Sequence, residues 1–310
     1  MEFEAQVIAA FGRHLQVRDD AGVCHEARPF GRRMQAVCGD RVRCRSDAAY
    51  GEVHAVEVLP RTSLLQRSTL RGGAEPVVAN IDLLVVVVAP QPEPDLFVVD
   101  RYLCAASSAG LAGLVVLNKS DLPGAAPTAA ALETYRAAGY ATFTCSTATG
   151  AGMAELEAAL NTHRSVFVGQ SGVGKSSLIA RLVPQATVAV GALDRAAEGR
   201  HTTTAARAYD LAPSGQLFDS PGVRDFAPAI GALDPRSLGF PEVERLAVEC
   251  RFQDCRHLRE PGCAVLAATE NGALDPRRYE SYRRLRRLYE ELQAAASPGG
   301  RRAPRRGGGH

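Results

Sequence analysis

The sequence predicts an α/β chain in which a small β-barrel precedes a parallel sheet covered by helices, and a small, mostly helical segment follows. Three observations carry that expectation. Residues 1 to about 68 alternate short apolar runs with turns and show no helical periodicity. From Asn80 onward, runs that are apolar at every position are separated by amphipathic stretches. Past Pro241 the chain is rich in arginine and holds three of its eight cysteines within fourteen residues.

In the first region, Glu4–Ala9, His14–Arg18, Gln35–Cys44 and Glu52–Leu59 read as strands, parted by Asp19-Asp20-Ala21-Gly22 and Gly39-Asp40. Short strands at this spacing suit a small closed barrel. Arg28, Arg32, Arg33, Arg41, Arg43 and Arg45 could turn a basic face toward RNA. They could equally be an ordinary charged surface, since acidic residues nearly balance them.

The second region changes period. Ile81–Ala89, Gly113–Leu117, Ala141–Cys145 and Arg164–Val168 read as strands, and a further strand ends at Leu217–Phe218. Between them Asp100–Gly110, Thr128–Gly139, Met153–Leu160 and Lys175–Leu182 read as helices. Strands apolar on both faces and spaced by helices are the mark of a mainly parallel sheet buried on both sides. In the third region Pro241 can open a helix through Glu249, because its missing amide donor costs nothing in a first turn. Arg277–Leu292 reads as a helix with an apolar stripe of Tyr282, Leu285, Leu288, Tyr289 and Leu292. Ser297–His310 has nothing apolar to fold around and is expected to be disordered.

Composition excludes some classes. The longest apolar run, Leu83 to Ala89, is far short of the roughly 18 residues that cross a bilayer. The opening Met1-Glu2-Phe3-Glu4 lacks the basic and apolar pattern of a secretory signal, so a soluble cytoplasmic monomer with no membrane contact is expected. The net charge is +2, yet ten arginines face only three glutamates in residues 277–310. That end is a candidate contact for a phosphate backbone, or a solvated tail. Lysine occurs only as Lys119 and Lys175. Arginine replaces lysine as a surface charge but not where a compact ammonium is needed, which singles out these two.

Lys175 belongs to Gly169-Gln170-Ser171-Gly172-Val173-Gly174-Lys175-Ser176, a complete phosphate-binding loop between an apolar strand and a helix. Its glycines let backbone amides wrap phosphate oxygens, and the following helix adds its own free N–H groups. Gly169, Ser171, Gly172, Val173, Gly174, Lys175, Ser176 and Ser177 are the candidate phosphate contacts, with Ser176 offering its hydroxyl to Mg²⁺. Lys119 belongs to Asn118-Lys119-Ser120-Asp121, directly after a strand. A carboxylate at Asp121 can accept two hydrogen bonds from the donor edge of guanine, which adenine lacks, so GTP is expected over ATP. The Lys119 stem can cover the base, Asn118 can tie neighbouring loops together, and Ser146 can brace the guanine from the next strand end.

Asp219-Ser220-Pro221-Gly222 follows a further strand, where Asp219 suits Mg²⁺ and the Gly222 amide can sense a γ-phosphate. The polar run Gly199–Thr204 is the place for a threonine that closes on Mg²⁺ in the triphosphate state. Sequence does not separate Thr202, Thr203 and Thr204; Thr203 is the choice. Val223, directly after Gly222, cannot hydrogen-bond an attacking water. His201 is then the candidate to position the attacking water, unless it is only a loop histidine or a partner supplies the group. Lys175, His201, Thr203 and Gly222 form the catalytic set. Downstream, Cys250, Cys255, His257 and Cys263 have the number and spacing of a closed tetrahedral Zn²⁺ site, structural rather than catalytic. An iron–sulfur cluster suits that mixed ligand set less well.

These motifs resemble the GTPase superfamily in altered order, since Asn118–Asp121 and Ser146 precede the phosphate loop. With the cysteine set and Pro76–Asp82, residues 1 to 292 resemble the ribosome small-subunit-dependent GTPase A family. The resemblance implies an OB-fold barrel at 1–68, a circularly permuted P-loop GTPase domain at 69–240 and a zinc-binding domain at 241–292. The basic tail, 293–310, lies outside it. It further implies GTP hydrolysis stimulated by the small (30S) subunit, contacts from both flanking domains to its 16S rRNA, and a role in late maturation of that subunit. A signalling switch whose flanking domains bind protein, and an ATPase, are the rival readings.

Overall fold

A computed structural model describes all residues except 13, 32–33, 48–51, 69–73, 185–205, 220–229, 231–232 and 297–310. The chain forms two compact units that divide between Pro228 and Ala229.

The first unit opens with β1 (Glu2–Phe11), β2 (His14–Asp19), β3 (Cys24–Pro29), β4 (Arg41–Asp47) and β5 (Glu52–Val58). Their order is β1-β2-β3-β5-β4, and β4 returns to pair with β1, which closes a five-stranded barrel. Alternation explains the closure: Ala5, Val7, Leu15, Val17, Ala27, Val42, Cys44 and Ala55 point inward as one core. The expected strand Gln35–Cys44 starts only at Arg41. The residues before it form a turn whose Asp40 is fully buried, its carboxylate taking bonds from the Val37 amide and the Arg61 guanidinium. Strand β3 was not anticipated, because its run of Cys24, His25, Glu26 and Arg28 buries only Ala27. Three of the candidate basic-face arginines are matched by carboxylates: Arg41 with Asp20 and Glu4, Arg43 with Glu57, and Arg45 with Glu2. The hydrogen-bonded Arg45 guanidinium holds the Glu2 carboxyl below its ordinary value. Arg28 is exposed, while Arg32 and Arg33 lie outside the described residues.

A hairpin of β6 (Leu64–Ser68) and β7 (Ala74–Ala79) leads to the second layer system. Strands β8 (Leu83–Val88), β9 (Ala112–Leu117), β10 (Ala141–Thr144) and β11 (Arg164–Val168) are mutually parallel, and β13 (Gly215–Asp219) runs parallel to β11. Every residue of β8 is buried, as expected for a central strand covered on both faces. One face packs α1 (Leu96–Ser108) and α2 (Ala125–Ala138) through Leu103, Tyr135 and Phe218. The opposite face packs α3 (Met153–Leu160) and α4 (Lys175–Leu182) through Leu156, Leu160 and Ile179. The order is β10-β9-β8-β11-β13-β12, where β12 (Ala206–Leu211) is antiparallel to β13 and also to barrel strand β1. One eleven-stranded sheet thereby joins barrel and layers.

The second unit has helices α5 (Pro241–Ala247), α6 (Ala264–Glu270) and α7 (Pro276–Ala296). The buried pair Arg278–Glu242 locks α7 to α5, and Tyr282 meets Phe240 edge-on at 5.7 Å. Helix α6 carries only seven residues and gave no periodic signal. No helix among the described residues is long and apolar enough to cross a membrane.

Gly39 sits where barrel and sheet meet: its amide donates to Val7 O, and its carbonyl accepts from Asn80 Nδ2 and Arg164 Nη2. Its φ is +92°, and a Cβ there would lie 2.1 Å from Ala79 O. Gly22 shares the left-handed conformation but faces open space. Gly39→Ala is therefore expected to cost about 3 kcal/mol and Gly22→Ala about 1 kcal/mol. Calorimetric melting of both variants checks the difference, and equal melting temperatures would contradict it.

Candidate nucleotide and metal sites

Parallel strands place their carboxyl ends on one edge, and ligands bind there because the following loops and helix N-termini converge. The segments after β8, β9, β10 and β11 converge on this edge, and β13 ends there at Asp219. The turn after β11 needs glycine at two points. Gly169 has φ +139° and a Cβ would meet Val87 O at 2.2 Å; Gly174 has φ +94° and a Cβ would meet Asn118 Nδ2 at 2.3 Å. Gly174 is the N-cap of α4 and offers no side chain, so the first-turn amides of that helix are left for an anion. Lys175 is buried, with Nζ donating to Gly169 O at 2.6 Å and Gln170 O at 2.7 Å. Those bonds hold the ammonium inside the loop curl. Ser176 and Ser177 begin α4 exposed, as does Ser171 in the turn.

Asn118 directly follows β9 and is fully buried. Its Nδ2 donates to Val173 O at 3.0 Å, and its Oδ1 accepts from the Thr147 amide at 3.3 Å. One side chain thus ties the phosphate loop to the segments after β9 and β10. Lys119 adopts a left-handed φ of 59° and reaches across the loop, Nζ donating to Gly172 O at 2.6 Å and Gln91 O at 2.9 Å. Ser146 is buried and its hydroxyl donates to the Asp121 carboxylate, while the Thr149 amide donates back to Ser146 Oγ at 3.1 Å. Asp121 itself is exposed. Asp219 stands half-buried at the end of β13, beside β11. The structure therefore brings together Asn118, Lys119, Asp121, Ser146, the phosphate loop and Asp219. His201, Thr203, Gly222 and Val223 lie outside the described residues.

Sequence reasoning missed one strip of this site. Gln91 accepts from Lys119, Pro92 lies against Gly172, and the Asp95 amide donates to Gln170 Oε1 at 3.4 Å. The signal was legible as Pro90-Gln91-Pro92-Glu93-Pro94-Asp95, three prolines directly after a fully buried strand. A segment that stiff lacks the freedom to fold away from the loop it crosses.

In the second unit, Cys250, Cys255, His257 and Cys263 converge, with one ligand atom of each lying within 4.8 Å of the others. Cys250 Sγ and Cys263 Sγ are each 3.5 Å from His257 Nδ1 and 3.9 Å from each other. Tetrahedral Zn²⁺ with ordinary bond lengths requires S···N and S···S separations of about 3.6 and 3.8 Å, so the donor set fits that ion. The cluster suggests a zinc site with no open position. His257 has a left-handed φ of 58°, and the carbonyls around it are pinned from α7, Tyr279 donating to His257 O and Tyr282 to Arg256 O, both at 2.9 Å. Glu260 ties the same loop by accepting from the Arg256, Leu258 and Arg259 amides. Burial alone would raise its carboxyl, but these amides outweigh it and hold it at about 2. Burial pushes the Cys255 thiol up to about 12 and raises Cys263 as well, whereas burial and then Arg286 lower His257. A neutral imidazole is thus favoured, and metal must displace thiol protons.

The chain from residue 58 to 228 matches the family model described as RsgA GTPase. A protein of Azotobacter vinelandii named small ribosomal subunit biogenesis GTPase RsgA is 45% identical over 290 residues, covering 90% of this chain and 83% of that protein. Its namesake in Pseudomonas aeruginosa is 43% identical over 289 residues, covering 92% and 85%. Among solved structures, YjeQ from Thermotoga maritima superposes with a TM-score of 0.72 at 27% identity, over 94% of this chain and 99% of that one. YloQ, described as a circularly permuted GTPase, gives 0.71 at 25% identity, over 94% and 96%.

Two outcomes are expected of the metal cluster. The purified chain should carry about one Zn²⁺, and chelation should expose the 250–263 loop to protease, because the ligands hold a small core together. Loading at neutral pH should release protons from the raised thiols, so occupancy falls as pH falls. Calorimetric titration in two buffers of different ionisation enthalpy measures that release, and identical heats in both would refute it.

Proposed function

Because the chain belongs to the RsgA GTPase family, it is a GTP hydrolase, and we propose that it acts on the small ribosomal subunit during late maturation. In this reading the bound subunit accelerates hydrolysis, and the enzyme leaves once GTP is spent. The relatives named small ribosomal subunit biogenesis GTPase support the choice of partner. The observation that carries the coupling is the pairing of β12 with both β1 and β13. Strand β12 directly follows the segment containing Gly199–Thr204, β13 carries Asp219, and β1 belongs to the barrel. A barrel gripping 16S rRNA would therefore bear on the strands that flank the nucleotide.

Lys175 leaves its two loop carbonyls for the β and γ phosphates when GTP enters. The α4 amides receive the same oxygens, and Asp121, pre-aligned by Ser146, reads the guanine edge while the Lys119 stem covers it. Ser176 and Asp219 would hold Mg²⁺, which when bound neutralises charge on the phosphates. Thr203 and Gly222 close on the triphosphate, and His201 positions the attacking water that Val223 cannot hold. Remote contacts to rRNA stabilise that closed arrangement, which raises the rate without altering the groups that react.

The domain division proposed is an OB-fold barrel at 1–68, a GTPase domain at 69–240, a zinc domain at 241–292 and a basic tail at 293–310. Barrel and zinc domain both touch 16S rRNA in this cytoplasmic enzyme. The arginines already paired on the barrel limit its free positive charge, so shape and a few exposed groups such as Arg28 carry that contact.

Lys175→Ala should lower turnover by about a hundredfold or more, since it removes a charge that meets the transferring phosphoryl group. Asp121→Asn should instead shift preference from GTP toward xanthosine triphosphate, whose altered edge offers an acceptor. An unchanged ratio of the two affinities would sink the assignment of Asp121. Purified small subunits should raise GTP hydrolysis far above the intrinsic rate, and His201→Ala should reduce that stimulated rate while GTP and subunit affinity persist. A turnover indifferent to small subunits would overturn the proposed function.

A further inference from the structure

Helix α7 holds two buried arginines that are treated differently. Arg278 meets the carboxylate of Glu242 at 2.6 Å. Arg286 is only 4% exposed, and among the described residues its hydrogen-bond partners are neutral groups. Its Nε and Nη2 donate to the Tyr282 hydroxyl at 3.1 and 2.6 Å, and Nη2 also donates to Arg236 O at 3.2 Å. Among the described residues no carboxylate pairs with it. A guanidinium taken out of water without a counter-charge is strongly disfavoured, so some other negative charge must face it.

The metal cluster supplies that charge. The guanidinium lies 5.3 Å from the centroid of the Tyr282 ring, and that ring lies 5.9 Å from His257. Three thiolates and a neutral imidazole around a divalent ion leave one net negative charge. The centre is itself buried, with Cys255 8%, His257 2% and Cys263 5% exposed. The other charged side chains of the loop do not compete for that burial, since Arg251, Asp254, Arg256 and Arg259 are exposed to water. The Glu260 carboxylate accepts three backbone amides, and Arg256 pairs with Glu290 at the surface.

We propose that Arg286 is the counter-ion of the three-thiolate metal centre, held in place by Tyr282, and that it favours a net-negative complex over a neutral one. This rests on reading the cluster as a zinc site. Arg286 touches no ligand atom and acts as a positioning and charge-balancing residue. Tyr282 serves twice, since its hydroxyl accepts from Arg286 and donates to Arg256 O in the ligand loop.

The test is a double-variant cycle on the full chain, reading Zn²⁺ affinity by competition with a chromophoric chelator. Arg286→Gln should weaken affinity about tenfold or more, the scale at which outer groups tune metal sites. Cys250→His converts the centre to a neutral two-thiolate, two-imidazole set. In that background Arg286→Gln should cost less than about threefold, because no surplus charge remains to balance. Arg286→Lys, which keeps the charge, should stay within about threefold of the parent. Co²⁺ absorption spectra verify tetrahedral coordination in each variant. Equal losses in both backgrounds overturn the proposal. So does a lysine variant as weak as the glutamine variant, and this comparison decides the matter if Cys250→His binds no metal. If Arg286→Gln does not fold, Tyr282→Phe, which frees the guanidinium, enters the same cycle under the same criterion. A parent protein that binds no zinc would instead defeat the zinc reading itself.

Discussion

The nucleotide edge depends on one buried amide. Asn118 donates to the carbonyl of Val173 and accepts from the amide of Thr147, so three loops from different strands are fixed by a single side chain. The closeness of that contact dictates sequence elsewhere. Gly174 must lack a Cβ because Asn118 Nδ2 occupies the space one would fill. With this bond in place, Lys119 can bridge to Gly172 and Gln91, and Lys175 can curl under its own loop.

A second constraint acts on β1. That strand closes the barrel with β2 and β4 and also continues the sheet through β12. Side chains reinforce the backbone link: Arg18 pairs with Asp210, and Gln6 exchanges hydrogen bonds with Gln216. Gly39, Asn80 and Arg164 stitch the opposite side. A barrel joined by strand pairing transmits displacement more stiffly than one hung on a linker, because a ladder resists shear along its whole length. Such stiffness would serve the proposed coupling of a partner held by the barrel to the nucleotide edge.

In the second unit the order of causation runs from helix to metal loop. Tyr279 and Tyr282 pin the adjacent carbonyls of His257 and Arg256 within the ligand loop, and Glu260 pins the amides. Small size leaves little apolar core, so polar bonds, and a metal when the cluster holds one, would carry the burden that packing carries in the sheet.

Much of this was legible in the sequence because it rests on local pattern. The fully apolar runs of β8 and β11, the phosphate loop before α4 and the spacing of Cys250, Cys255, His257 and Cys263 each carry their meaning within a few residues. So did the reversed order of Asn118–Asp121 and the phosphate loop, which marked the permutation. Strands β3, β6 and β12 escaped because they bury few side chains and exist through their partners; β12 is defined by β1 and β13, far away in sequence. The prolines around Gln91 signalled a stiff segment but not the loop it crosses, and the buried Asp40 and the buried Arg286, which no carboxylate among the described residues pairs, were invisible. Local propensity and motif spacing report on neighbours along the chain. Which charge faces which, and which strand joins barrel to sheet, are settled only when distant segments pack and lose their water together.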